Sequence, residues 1–346
     1  MRIVQVMLAK GFGGAERSFV DISRALAARG HTVMAIGEAR GVALRHLADT
    51  AGIECVPLRC LGAWDRLAGH RISRHIAHFR PAIVQAHLAR AALLAGRAAA
   101  AQQVPSLAKT HNLVNVAYYR YLDCLVPTTA AQRAHLLAAG VAAARIETIP
   151  NFTAIGLQPV SGTHAVSKPP VIKALGRMVH KKGFDLLIEA VALLQQRGVY
   201  CRVEIAGDGP EKPALAQQLQ HRGVADHVSL VGWVDAVAAF LADADLLVVP
   251  SRDEPFGIVL IEAMAAGVPV LATRTQGPLE ILTDGSGYLT AVDDSRALAD
   301  SIEAALSDPA REAVRHTAQQ RFAEHYSADT VLSRYLALYE RLIAQA

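Results

Sequence analysis

The sequence has no apolar run long enough to cross a bilayer; none approaches the roughly 18 consecutive residues that a spanning helix needs. The first residues, MRIVQVMLAKGFGGAE, include a short apolar stretch. It has neither the length nor the small-residue cleavage site of a secretion signal, and it reads as a first strand. These absences predict a cytoplasmic, non-integral protein. Cysteine is also scarce. The four, Cys55, Cys60, Cys124 and Cys201, form no C-x-x-C pair, and most sit in apolar strand-like contexts. They read as buried free thiols, not as a disulfide framework or a zinc site. No H-E-x-x-H or zinc-type His/Cys spacing occurs, and no low-complexity tract or short internal repeat is visible.

What is present is apolar mass and an uneven charge. Apolar residues make up 52% of 346, enough to fill two cores, and the length itself points to about two domains. Residues 1–160 carry 18 Lys and Arg against 8 Asp and Glu, whereas the remainder carries 17 against 23. A first half of net charge +10 suits an anionic partner: a phosphorylated lipid, a membrane surface or nucleic acid. Solvated arginines on helix backs would give the same imbalance.

Short apolar strands alternate with amphipathic helices in both halves. RIVQVMLA, HTVMAIG, AIVQAHL, SLAKTH and CLVPTT read as strands of the first half, and VIKALGRM, CRVEIAGDG, HVSLVGWV, DLLVVPS and PVLATRT as strands of the second. Alternation of this kind predicts an α/β protein with parallel sheets covered on both faces. Between the halves, residues 156–170 are rich in Pro, Gly, Ser and Thr and read as a linker. The expected organisation is two doubly wound, Rossmann-like domains, 1–160 and 161–325, facing across a cleft. A last helix over 326–346 has room to return to the first domain. Open parallel sheets bind ligands at the carboxyl ends of their strands, so polar residues just after strands are the candidates.

Glu254 and Glu262 stand in the greasy stretch RDEPFGIVLIEAMAAGVPVLA. Ser251-x-x-Glu254 could be a capping box. Pro255, however, disfavours helical angles at Glu254 and places it in the strand-to-helix turn, with a helix expected from about Phe256 to Ala266. The amides at that helix start, around Phe256, Gly257 and Ile258, suit a phosphate. Glu262 is expected to be partly buried, held by sugar hydroxyls or by a salt bridge. GRMVHKKG places Gly176, Arg177 and Lys182 after the first strand of the second half, where two cations can hold a diphosphate. GFGGAE offers Gly13 and Gly14 after the first strand of the chain, with Glu16 where a dinucleotide fingerprint needs its third glycine, which disfavours a dehydrogenase. AGDGPE adds Gly209 in a turn, and GWV adds Trp233 and Val234. His87 and His111 end strands of the first half; each is a candidate to hydrogen-bond a sugar and equally a structural histidine. The D-x-D in ADAD, residues 242–245, reads as a helix end and not as a metal site.

These motifs, in this order and over nearly the whole chain, resemble the retaining glycosyltransferases of family 4, with the two-domain GT-B fold. The resemblance implies that Glu262 holds the ribose and that Glu254 contacts the donor sugar. It further implies that Arg177 and Lys182 bind the diphosphate and that His111 lies near the reacting carbon. Backbone groups around Gly13, Gly14, Gly176, Gly209, Trp233, Val234, Phe256, Gly257 and Ile258 would line the donor, with Glu16, His87 and His111 toward the acceptor. Two positions depart from the family pattern: Phe152 follows Asn151 where glycine is usual, and Gln276 replaces a glycine in TQGPLE. The implied reaction is metal-independent transfer from a nucleoside-diphosphate sugar, UDP favoured, to a lipopolysaccharide-core, lipid-linked or other saccharide acceptor. No cofactor is expected. The expected partners are the nucleotide sugar, that anionic acceptor and a membrane surface met through the basic first domain, but not nucleic acid. That surface would make the protein peripheral to the inner face of the cytoplasmic membrane. A nucleotide-sugar epimerase of the same fold and a non-catalytic nucleotide-sugar-binding protein are the alternatives.

Overall fold

The structure is a computed structural model, and it describes residues 1–158 and 166–346. The chain falls into two compact units, Met1–Ala154 with Ala328–Ala346, and Ile155–Ser327. Contacts thus divide the chain at 154/155 and 327/328, not at 160 and 325. Part of the expected linker, 159–165, lies outside the described residues.

The first unit holds six strands, β1 (Arg2–Met7), β2 (Thr32–Glu38), β3 (Ile53–Leu58), β4 (Ile83–His87), β5 (Ser106–Lys109) and β6 (Cys124–Val126). All pair in parallel, in the order 3-2-1-4-5-6. Helices α1 (Gly14–Ala28), α2 (Arg66–Phe79) and α3 (Leu88–Ala100) connect β1 to β2, β3 to β4 and β4 to β5, and α4 (Ala130–Ala138) follows β6. Parallel strands need such crossovers, and a sheet covered on both faces needs strands apolar throughout, which is why β1, β2 and β4 read as near-continuous apolar runs.

The second unit repeats the plan with β7 (Val171–Leu175), β8 (Arg202–Ala206), β9 (Val228–Gly232), β10 (Leu246–Val249), β11 (Val270–Thr273) and β12 (Tyr288–Thr290). Its order is 12-11-10-7-8-9, the same winding as the first sheet. Its helices are α5 (Phe184–Gln196), α6 (Lys212–Arg222), α7 (Val237–Leu241), α8 (Ile258–Ala266), α9 (Gln276–Ile281), α10 (Ser295–Ser307) and α11 (Arg311–His325). A final helix, α12 (Ala328–Ala344), belongs to the first unit. It buries Val331, Leu332, Tyr335, Leu338, Tyr339 and Leu342 in one cluster with Ile3, Ile22, Leu26 and Ile149. These positions recur at helical spacing, and each buried side chain of this size contributes about 1.5–3 kcal/mol.

The two sheets reverse direction between β1 and β4 and between β7 and β10. At such a switch point the crossovers leave to opposite sides, and a crevice opens at the strands' carboxyl ends. The residues after these four strands are therefore the ones the fold makes available for chemistry.

Candidate active site

In the second unit, the segments after β7, β8, β9 and β10 all emerge at the carboxyl edge of one parallel sheet. Two of them meet through side chains. Lys182 Nζ donates to Glu254 Oε2, and Ser251 Oγ donates to the same oxygen at 3.3 Å. Glu254 is only 6% exposed, so burial would penalise its charge without these partners. The Ser251–Glu254 spacing is thus a side-chain hydrogen bond in a loop and not a helix cap. The Glu254 carbonyl accepts from the Gly277 amide at 2.9 Å, which fixes the turn from behind.

The helix after Glu254 starts at Ile258, two residues later than the sequence suggests. The reason is Gly257, whose φ of 90° interrupts the helical run before α8 begins. No side chain caps this start, so its first amides remain directed out of the helix. Glu262 lies one turn into α8, about 6 Å along the axis. It is 1% exposed, among Leu260, Ile261, Ala263 and Met264, and so is fully and not partly buried.

Arg252, which the sequence did not single out, also joins the two segments. Its guanidinium donates to both oxygens of Asp185 at 2.7 Å each, to Asp293 at 2.7 Å and to the His180 carbonyl at 2.9 Å. Burial pushes the Asp185 carboxyl up, but the Arg252 hydrogen bonds and charge outweigh it and hold the group below its ordinary range. Asp185 in turn raises Arg252 further. The backbones are equally close: a Cβ on Gly183, whose φ is 67°, would lie 2.0 Å from the Pro250 carbonyl oxygen. The result is a double loop presenting Lys182 and Glu254, with Arg177 exposed five positions before Lys182.

Gly209 lies in the β8 turn, where a Cβ would sit 2.3 Å from the Met178 carbonyl oxygen; the Met178 amide donates to Asp208 O at 2.8 Å. The β7 and β8 turns therefore pack backbone to backbone, and Gly209 has a packing reason for being glycine. Gly176 opens the β7 turn. Trp233 follows β9, 51% exposed, with its indole N–H on Asp235 at 2.8 Å, and Val234 is half-buried. The D-x-D aspartates are engaged elsewhere: Asp243 pairs with Lys173 at 3.0 Å and Arg202 at 2.9 Å, and Asp245 accepts from the Val171 amide at 2.7 Å.

In the first unit the glycine loop after β1 leads into α1 at Gly14, and two expectations change. Glu16 turns back to accept from the Gly13 amide at 3.0 Å. It caps the helix and is buried, so it does not offer its carboxylate to an acceptor. His87 is 0% exposed and faces no solvent. Its Nε2 lies 3.0 Å from Gln5 Oε1, and its Nδ1 lies 3.3 Å from His111 Nε2. It supports His111, which is half-buried and sits just past β5. Burial, followed by the charges of His111 and Lys109, lowers His87 well below the ordinary histidine range. Burial and then Lys109 push His111 down to about 3. Both shifts favour the neutral rings near pH 7, in which His111 can hydrogen-bond without carrying a charge.

Sequence reasoning missed Lys109 and Asp21. Lys109 is 0% exposed, and burial lowers it to about 7, with Asp21 opposing; its Nζ donates to the Pro150 carbonyl at 3.2 Å. Burial raises Asp21 to about 6. The available signal was a lysine inside the apolar strand SLAK and an aspartate on the apolar face of FVDI.

Residues 12–155 match the family described as Glycosyltransferase Family 4, and residues 162–321 match Glycosyl transferases group 1. The chain is 32% identical over 332 residues to the lipopolysaccharide core biosynthesis glycosyltransferase LpsE of Rhizobium meliloti (strain 1021), covering 94% of this chain and 95% of that protein. It is 30% identical over 339 residues to LpsD of the same organism, covering 96% of each. Among solved structures, Anabaena Alr3699/HepE in complex with UDP superposes with a TM-score of 0.83 at 21% identity, covering 99% of this chain and 100% of that one.

Proposed function

We propose a reaction for this chain on one premise: it belongs to the group 1 glycosyl transferases, with a Glycosyltransferase Family 4 first half, and is a glycosyltransferase of GT-B fold. The reaction is metal-independent, retaining transfer of a sugar from a nucleoside-diphosphate donor, with UDP favoured, to a saccharide on the lipopolysaccharide core or on a related lipid-linked carrier. The acceptor reading is supported by LpsE and LpsD, both described as lipopolysaccharide core biosynthesis glycosyltransferases. The donor reading is supported by Anabaena HepE, which was solved with UDP and with UDP-glucose.

The observation that carries the proposal is the Lys182–Glu254 pair, set by the Arg252 clamp at the switch point of the second sheet. Breaking the bond from sugar to diphosphate leaves negative charge on the departing oxygens and an oxocarbenium-like sugar. Lys182, Arg177 and the uncapped amides at the start of α8 supply positive charge already in place, which lowers the barrier without reorganisation. Glu254 holds Lys182 and contacts the donor sugar, and Glu262 takes the ribose hydroxyls. His111, neutral, hydrogen-bonds the sugar, and Gly13 and Gly14 let backbone approach the phosphates. Gly13 fits that role: its backbone is extended and an added Cβ would make only ordinary contact, 3.5 Å from Glu16 Oε2, so neither backbone nor packing demands a glycine there. The acceptor attacks from the face the diphosphate leaves, so that the anomeric configuration is retained in the proposed reaction. No helix among the described residues is long and apolar enough to cross a membrane, and we place the enzyme on the inner face of the cytoplasmic membrane.

Thermal shift with UDP, GDP and ADP tests the donor site, because a ligand that binds only the native state raises its melting point, by about 2.7 kcal/mol of stability at a hundred times Kd. UDP should raise the melting temperature of the wild type and do so much less for Lys182→Ala. A protein indifferent to all three nucleotides contradicts the reading.

A further inference from the structure

Between β3 and α2, residues 61–65 form a loop tied down on its inner side. Asp65 accepts from the Leu61 and Ala68 amides at 3.0 Å each, and Glu38 accepts from the Cys60 amide at 3.1 Å. With these amides satisfied internally, the loop turns its apolar side chains outward. Leu61 is 71% exposed, Trp64 78%, and Leu67 on the first turn of α2 74%, the three most exposed large apolar side chains among the described residues. Single exposed hydrophobics are ordinary; three within seven positions, held by a pinned loop, mark a docking surface.

The helix that follows supplies the charge. Ala68, Ile72 and Ile76 face the core. The opposite stripe, at the same helical spacing, is Leu67, His70, Arg71, Arg74 and His78. Between Asp65 and Asp123 the sequence contains no acidic residue. We propose that the Leu61–Trp64–Leu67 wedge and the Arg71–Arg74 face of α2 dock the protein on the headgroup layer of an anionic phospholipid bilayer. An indole suits the interface between hydrocarbon and water, leucines gain by entering it, and guanidinium groups beside them bind lipid phosphates. Charge selects this occupant over a second copy of the chain, because a twofold contact would set the arginine stripe against itself. The proposal deepens the reading of a membrane-borne acceptor and rests on it only for its purpose; its test involves no sugar chemistry, so the two can fail separately.

The chain has two tryptophans, so Trp233→Phe leaves Trp64 as the only indole. With vesicles of phosphatidylcholine containing roughly one-third phosphatidylglycerol, its emission should move to the blue and the protein should sediment with the lipid; pure phosphatidylcholine should do neither. In the protein with Trp233 intact, Trp64→Ser with Leu67→Ser, and separately Arg71→Glu with Arg74→Glu, should each lower vesicle binding roughly tenfold or more. The urea midpoint should be unchanged in both, since all four positions are exposed, which shows that they fold. Absence of both the shift and sedimentation overturns the proposal, as does binding that neither pair of substitutions weakens. Self-association abolished by Trp64→Ser would assign the surface to a second copy instead.

Discussion

Removing the Arg252 guanidinium tests whether the two loops of the second unit act as one piece. The side chain is 18% exposed and its partner Asp185 38%, so the pair lies between the surface and buried extremes. Exposed ion pairs contribute about 0.2–1 kcal/mol, whereas hydrogen bonds to charged groups contribute about 1.5–3. A bidentate pair with both bonds at 2.7 Å, discounted for its partial solvation, should couple by about 1.5 kcal/mol. Arg252→Ala also loses the Asp293 contact and the bond to the His180 carbonyl, for a total loss of about 2–3 kcal/mol. A double-mutant cycle with Asp185→Ala, read from urea denaturation, isolates the pair. The sign with pH is fixed by the depressed Asp185 carboxyl: the coupling is fully present above the ordinary value of 3.8 and is lost as pH falls through the lower folded value. A coupling below about 0.5 kcal/mol at pH 7 would mean that the clamp is a surface contact and that something else positions Lys182.

Two further outcomes follow from the packing. Gly183→Ala must accept left-handed backbone, at about 1–2 kcal/mol, and a Cβ 2.0 Å from the Pro250 oxygen, so it should lower the urea midpoint more than Arg252→Ala does; an unchanged midpoint would show that the loops do not touch. Lys109, lowered by burial to about 7 from 10.5, costs stability that is fully present below pH 7 and relieved as pH rises toward 10. The four thiols, raised by burial, pull stability down over the same range, so the slope of the urea midpoint with pH should be more positive in the wild type than in Lys109→Met, and equal slopes would refute the burial of a charge there.

Much of the fold was legible because parallel strands buried on both faces must be apolar along their length, and the punctuation between them is Gly, Pro and polar residues. The strand order was not, since nothing local says that β1 lies between β2 and β4. At the site, the residue types after strands were readable, but their partnerships were not. Arg252 and Asp185 stand 67 positions apart, and only the parallel pairing of β7 with β10 brings their loops together. Gly257 shows the limit at short range: Pro255 announced a turn and the glycine permits left-handed backbone, but neither says that the chain adopts it and delays α8. Glu16 did carry one. A glutamate three residues after a helix start is the capping pattern, yet Gly13 in the cap position, having no side chain to reciprocate, hid it. The orientation of His87 depended on Gln5, on the neighbouring β1, and on His111, just past the neighbouring β5, and lay beyond any local rule.

In the proposed reaction, Lys182, itself held by Glu254, neutralises the charge released with the leaving diphosphate. The direct measurement is release of nucleoside diphosphate from the sugar donor whose nucleotide stabilises the protein, compared among wild type, Lys182→Ala and Glu254→Ala at matched folded concentration. Each substitution should lower kcat by roughly a hundredfold to a thousandfold, the loss typical of removing one preorganised charge-stabilising group. Rates equal to wild type in both variants would contradict it.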